Sequence, residues 1–395
     1  MNAVRSRGSA SEAVTSQSQL QPDPEEYDGW GSSLLQEVLT ATYWFDPGSS
    51  GRPFSATLRF SGHRLGVTGK PEPTDSFRQD ETIHDIVPGS GPVSLTTTVR
   101  SISPGDWTVS AEPVLRKGAN RVVRSYPWSH LNPRTVKPAL SYWRKPAVPE
   151  GPAMPVKTAY LPFARVPGEL PGAWPALVGL GVALGVVLQT TLLARAHVDI
   201  RAGFVILLLA MIAGLAGAKI WYIGINPRTW RATFPVGMCI QGFIVAAVVV
   251  LTAGLVILRM PIGTFLDAIV PGMFFGMAVG RHGCFFAGCC GGRPTTSRWG
   301  LWASDRRVGA RRIPTQLWES LACLIIGSAA LGLVLQPRPP LHGAVFVGAL
   351  AAYTLTRQVL FPLRSEPRKT PIGRFLVMGA AGLLLIADIV ISIVV

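Results

Sequence analysis

No cysteine precedes Cys239, and no apolar run opens the chain. The first absence excludes a disulfide framework in the N-terminal region. The second leads us to expect no secretory signal, because residues 1–21 are polar and serine-rich, without a hydrophobic segment. Charge is also scarce, at 15% of the 395 residues, and acids are scarcer than bases: 22 Asp+Glu face 37 Lys+Arg, for a formal net charge of +15. With 48% hydrophobic residues and a mean hydropathy of +0.33, this balance excludes a wholly soluble globular protein and makes a membrane the expected solvent for much of the chain. The basic excess then suits contact with anionic lipid headgroups. Nucleic acid is not an expected partner, since no basic segment is interleaved with aromatics in the manner of a nucleic-acid groove.

What is present divides the chain. Residues 1–35 are expected to form a disordered tail. Between Gln36 and Arg116 apolar residues recur with period two, at Leu58 and Phe60, at Val93, Leu95 and Val99, and at Trp107, Val109 and Ala111. Turn-forming clusters separate these runs, among them Asp46-Pro47-Gly48 and Ser103-Pro104-Gly105-Asp106, a spacing that fits a small all-β sandwich over 36–125. Nothing in it looks catalytic, and His63, His84 and Asp75 read as surface or loop positions. Residues 126–171 are rich in proline and read as an extended linker.

The region 172–395 holds seven apolar segments, at 173–193, 203–225, 236–258, 262–281, 315–335, 341–361 and 374–394. Each is near the roughly 20 residues that cross hydrocarbon as a helix. The expected fold is therefore mainly α, a seven-helix transmembrane bundle preceded by the small all-β sandwich, in a multi-pass protein of the cell membrane. Lys219, Gln241, Asp267, Arg281, Glu319 and Arg357 fall in or at the heads of these segments. Lipid penalises such residues, so they normally face a bundle interior and mark a functional cavity.

Two motifs carry the chemistry. The first runs from Asp267 through Pro271-Gly272 to Arg281-His282-Gly283-Cys284 and on to Gly288-Cys289-Cys290-Gly291-Gly292-Arg293-Pro294-Thr295. Its first half is a small-residue helix. Its second half is a glycine-rich loop, which at membrane depth is tolerated only against protein or a wet cavity. Such a loop presents backbone N–H groups to an anion, and Arg281 and Arg293 add planar donors suited to phosphate. The second motif, Arg311-Arg312-Ile313-Pro314-Thr315-Gln316-Leu317-Trp318-Glu319-Ser320, places Pro314 in a first helical turn and Gln316, Glu319 and Ser320 on one face. That face is expected to look back at the Arg281 loop. Seven arginines (281, 293, 298, 306, 307, 311 and 312) against Asp305 indicate an anionic ligand. Cys284, Cys289, Cys290 and His282 are soft donors, yet adjacent cysteines without a second CxxC pair are poorly spaced for structural zinc. No metal and no cofactor is expected, and the cysteines read as small residues packing the loop.

With these motifs, and with Gly343 and Arg357 in the sixth segment, the region from Ala173 to Val395 resembles the prolipoprotein diacylglyceryl transferases. The resemblance implies a seven-helix membrane enzyme that moves the diacylglyceryl group of phosphatidylglycerol to the lipobox cysteine of a prolipoprotein, releasing glycerol phosphate. An anionic phospholipid and a prolipoprotein signal peptide would then be its partners. By that resemblance Arg281 and Arg312 are essential arginines, Gly292 is the loop glycine and Glu319 the glutamate of the fifth helix, while Gln241 stands where the family usually has histidine. The implied catalytic set is Arg281, Arg312, Glu319 and His282: guanidinium groups meet the developing phosphate charge, and His282 or Glu319 takes the thiol proton. Gly283, Cys284, Gly288, Gly292, Arg293, Gln316, Gln241 and Arg357 are expected to contact substrate. The alternative is a membrane-anchored binding module on a degenerate bundle, and a third reading is a thiol or metal protein centred on the cysteines.

Overall fold

The computed structural model describes residues 37–114, 124–125, 143–144, 146, 155–160, 166–227, 238–336, 341–365 and 372–394. The expected tail and most of the expected linker lie outside the described residues. Strands β1 (Glu37–Asp46), β2 (Phe54–Arg64), β3 (Ser76–Ile86), β4 (Val93–Val99) and β5 (Asp106–Pro113) are followed by the short β6 (Arg124–Ser125), β7 (Val156–Lys157) and β8 (Ala159–Tyr160). They form two curled antiparallel sheets. β7 and β8, within the segment expected to be linker, join different sheets, β7 beside β5 and β8 beside β1.

The sheet β3-β2-β5-β7 follows the period-two expectation. Trp107 and Val109 of β5 point inward between exposed neighbours. They join Leu58, Phe60 and Ile83 against Leu39, Tyr43, Phe45, Val93 and Leu95 of the facing sheet. Burial of one face of each sheet drives this packing. β4 sends its expected Val93, Leu95 and Val99 into the same core, and β1 sends Leu39, Ala41, Tyr43 and Phe45 there, but both strands are buried on their second face as well. Asp75 also departs from its expected surface role. It is only 5% exposed, accepting from Arg64 Nε at 2.6 Å and from the Glu72 N–H at 3.0 Å.

The second face of β1 meets the membrane region. Strands β9 (Leu301–Asp305) and β10 (Val308–Arg312) form a hairpin in the arginine-rich connection, and β10 pairs with β4 through Val308↔Leu95 and Gly309↔Ser94. The sheet order is β6-β1-β4-β10-β9. Trp302 stacks on Trp44 with ring centroids 5.2 Å apart and donates from Nε1 to the Pro92 carbonyl at 2.8 Å. Ala310 sits in the sandwich core. The turn residues Arg306 and Arg307 both have left-handed φ, 50° and 67°, as a tight two-residue hairpin demands.

Helices α1 (Ala173–Arg195), α2 (Ile200–Ile225), α3 (Ile240–Ile257), α4 (Ile262–Phe286), α5 (Thr315–Val334), α6 (Ala344–Leu360) and α7 (Ile372–Val394) lie close to the seven expected segments. All seven segments are long and apolar enough to cross a membrane. α1 and α4 approach at backbone distance. A Cβ on Gly181 would lie 2.5 Å from the Gly276 carbonyl oxygen, and one on Gly272 would lie 2.5 Å from that of Gly185. Small residues four apart on both helices supply the close packing that lipid cannot drive hydrophobically. Asp267 caps α6, its two oxygens accepting from the Gly343 N–H at 2.6 Å and the Phe346 N–H at 2.9 Å.

These contacts bring the start of α1, the end of α4, the start of α5 and the end of α6 to the face that carries the sheets. A Cβ on Gly309 would collide with Ser94 Oγ and the Trp302 ring. Gly309→Val should therefore open the β4–β10 junction and destabilise the protein by about 1–3 kcal/mol. A lowered melting temperature with helical circular dichroism retained is the expected measurement.

Candidate active site

Glu319, 2% exposed on the first turns of α5, is the centre of the polar cluster. Its Oε2 lies 2.8 Å from Arg281 Nε of α4, and its Oε1 accepts from Arg364 Nη1 at 3.2 Å. Arg281 Nη2 and Arg357 Nη1 each donate to the Tyr353 hydroxyl at 3.3 Å. Two guanidinium groups thus share one carboxylate, and a third, Arg357, joins the mostly buried network through Tyr353. Arginine does not lose its proton in proteins, so the network holds surplus positive charge.

The expected face of α5 does look back at the glycine-rich loop. Gln316 Nε2 donates to the Cys289 carbonyl at 2.9 Å, and the Ser320 hydroxyl donates to the Ala278 carbonyl at 2.8 Å. His282 Nδ1 stands 3.0 Å from the same carbonyl and 3.3 Å from Ser320 Oγ. A carbonyl only accepts, so Nδ1 carries a proton.

The loop is tied on three sides. Asp305 accepts from the Gly291 N–H at 3.3 Å and from Ser365 Oγ at 2.8 Å. The Arg293 N–H donates to Leu363 at 2.8 Å, and its Nε to the Arg364 carbonyl at 3.2 Å. Arg312 reaches the Gly292 carbonyl from Nη1 at 3.3 Å and the Val308 carbonyl from Nη2 at 3.2 Å. At Gly292 a Cβ would strike the Ile313 carbonyl oxygen, so only glycine fits. Burial pulls the Arg312 pKa below its ordinary value, opposed by Asp305, and its Nε has no partner.

Residues 173–395 match the family model described as prolipoprotein diacylglyceryl transferase. The chain belongs to this family. It is 35% identical over 177 residues to phosphatidylglycerol--prolipoprotein diacylglyceryl transferase 2 of Streptomyces coelicolor, covering 40% of this chain and 55% of that one. It is 28% identical over 209 residues to the Nostoc enzyme of the same name, covering 48% and 73%, and 25% identical over 203 residues to that of Clostridium tetani, covering 49% and 80%. Family membership and the seven apolar helices make the protein an integral membrane transferase-family member.

Within this transferase-family bundle most of the expected site residues converge. Arg281, His282, Gly292, Arg293, Arg312, Gln316, Glu319 and Arg357 all join the network or its loop. Gly283 packs on α1, where a Cβ would lie 3.3 Å from Trp174 Cα, and Gly288 takes a left-handed φ of 64° against Glu169. Cys284 is buried in the last turn of α4. Gln241 is the exception: it is exposed at the start of α3, and its Oε1 accepts from the Cys239 thiol at 2.6 Å. Arg364, Tyr353 and Glu169 escaped the sequence reading. Tyr353 precedes Arg357 by one helical turn, a same-face spacing that carried a signal, whereas Arg364 lies beyond the end of α6 in extended backbone and had none.

Removing Glu319 leaves Arg281 and Arg364 without their shared carboxylate. Glu319→Gln should cost about 3–5 kcal/mol, as breaking a buried ion pair does, read as thermal unfolding in detergent. Glu169, just outside the membrane span, has its carboxyl raised by burial to about 7, with Arg307 lowering and Asp305 raising it. The folded state then binds the extra proton between the ordinary value of 4.5 and about 7, so stability falls as pH rises through that window. A melting-temperature profile that flattens there in Glu169→Gln is the expected outcome.

Proposed function

We propose that this protein transfers the diacylglyceryl group of phosphatidylglycerol to a prolipoprotein cysteine in the cell membrane. The observation that carries the reading is the pairing of Arg281 and Arg364 on a single carboxylate, with Arg357 joined to Arg281 through Tyr353, beside a glycine loop whose backbone is tethered by Asp305, Arg293 and Arg312. Surplus guanidinium charge in a partly dry site stabilises phosphate charge far better than it would in water. The relatives' names supply the donor and the acceptor class.

The reaction needs a thiol to lose its proton and attack the glyceryl carbon that bears the phosphate ester. Arg281 would meet the charge that develops on the departing phosphate oxygen. Glu319 is poorly placed as a base, because both its oxygens are occupied by arginine. His282 is better placed, with Nδ1 anchored on the Ala278 carbonyl. Arg312 would act through the loop, holding Gly292 in position.

Incubation with labelled phosphatidylglycerol and a lipobox peptide should give a thioether-linked peptide and free glycerol phosphate. Arg281→Ala should lower the rate about 10²–10³-fold, as loss of a transition-state donor does, and Arg281→Lys should recover little, because a point charge cannot copy the planar fork. Release of glycerol phosphate with the peptide unmodified would assign a different acceptor. Absence of both products would favour the lipid-holding binding module.

A further inference from the structure

The spacing of Cys284, Cys289 and Cys290 argues against a metal, and the fold alters that reading. α4 ends at Phe286, Gly288 turns the chain at φ 64°, and Cys290 holds a left-handed φ of 58°. The chain doubles back, and the three sulfurs lie within 4.8 Å of one another. All three thiols are free; Cys284 is buried, while Cys289 and Cys290 are half-buried. A non-glycine residue at positive φ is costly and is retained most often where function requires it. Tetrahedral zinc, with Zn–S near 2.3 Å, would need sulfurs about 3.8 Å apart, a small inward movement.

Charge supports the same conclusion. A divalent cation with three thiolates is singly negative, and Arg281 stands three residues before Cys284 on the same face of α4. Arg281 is also the residue placed above at the departing phosphate, so the thiol cluster adjoins the proposed reaction centre.

We propose that Cys284, Cys289 and Cys290 bind one thiophilic divalent cation, such as zinc, whose open fourth position takes the acceptor cysteine as a thiolate. This use of the cation rests on the transferase reading. Three protein ligands with one open position is the pattern of catalytic rather than structural zinc, and coordination deprotonates a thiol at neutral pH. The acceptor S–H loses its proton to solvent as sulfur binds the cation. A sulfur electron pair then forms the C–S bond at the glyceryl carbon as the C–O bond breaks, and that bond's electrons leave on the phosphate oxygen of glycerol phosphate. The product thioether is a neutral, weaker ligand and departs.

The test uses the full-length protein in detergent, reduced, freed of metal and titrated with Co2+ and Cd2+ without lipid. One equivalent should bind with a sulfur-to-metal charge-transfer band. The band should be lost in Cys289→Ser and Cys290→Ser and kept in Cys239→Ser. Wild-type Cys289 and Cys290 should also be protected by Cd2+ from alkylation, a readout that needs no variant to fold. A cysteine-containing lipobox peptide should shift the Co2+ bands, and its serine counterpart should not. Absence of stoichiometric binding would overturn the site, and bands indifferent to the cysteine peptide would overturn delivery of the acceptor. Because both readouts omit phospholipid, failure of lipid transfer would leave them unchanged and would count against the transferase reading alone.

Discussion

The structure depends on one buried carboxylate. Glu319 bridges Arg281 of α4 and Arg364 beyond α6, so three separate parts of the bundle converge on a single acid. Burying arginine is costly unless its charge is answered. Here the answer is deliberately short: Glu319 serves two guanidinium groups directly, and Tyr353 links the first of them to Arg357. Such an arrangement holds the helices in register while leaving positive potential at the loop. The same under-compensation that makes the cluster sensitive to loss of Glu319 suits it to receive an anion.

The second constraint is the continuity of the sheet. β10 carries Arg312 at its end, and its pairing with β4 makes the N-terminal strands part of the platform from which the glycine loop is held. The tip of the β9–β10 hairpin also touches both sides, with the Arg306 N–H donating to the Gly288 carbonyl at 3.1 Å and the Thr96 N–H to the Arg307 carbonyl at 2.9 Å. The N-terminal region is therefore built into the support of the site. Interior backbone geometry of this kind transmits displacement because packed elements have few alternative positions.

The helices answer a different demand. Lipid gives no hydrophobic reward for helix association, so α1 and α4 rely on paired glycines, and α2 and α3 do the same at Gly217 and Gly242, where a Cβ on Gly217 would lie 2.6 Å from the Gly242 carbonyl oxygen. Close backbone approach fixes the end of α4 against α1. Arg281, His282 and Cys284 inherit that fixed position.

The sequence by itself determined the elements whose cause is local or periodic. Seven apolar runs specify seven helices because hydrocarbon leaves the backbone no other partner, and Gln316, Glu319 and Ser320 share a face because helical spacing requires it. Alternation located β5 and the apolar positions of β2 for the same reason. Only the tertiary structure decided the rest. β1 and β4 are buried on a second face that alternation does not reveal, and Arg306 and Arg307 form a hairpin turn that their side chains do not advertise. Arg364 is recognisable as Glu319's partner only once α6 has folded back onto α5. Asp75, in the turn between β2 and β3, is buried where Arg64 at the end of β2 pairs with it, and Gln241 lies away from the network because α3 packs on α2. Each of these depends on a partner distant along the chain, and a partner's approach is set by packing, which no local pattern encodes.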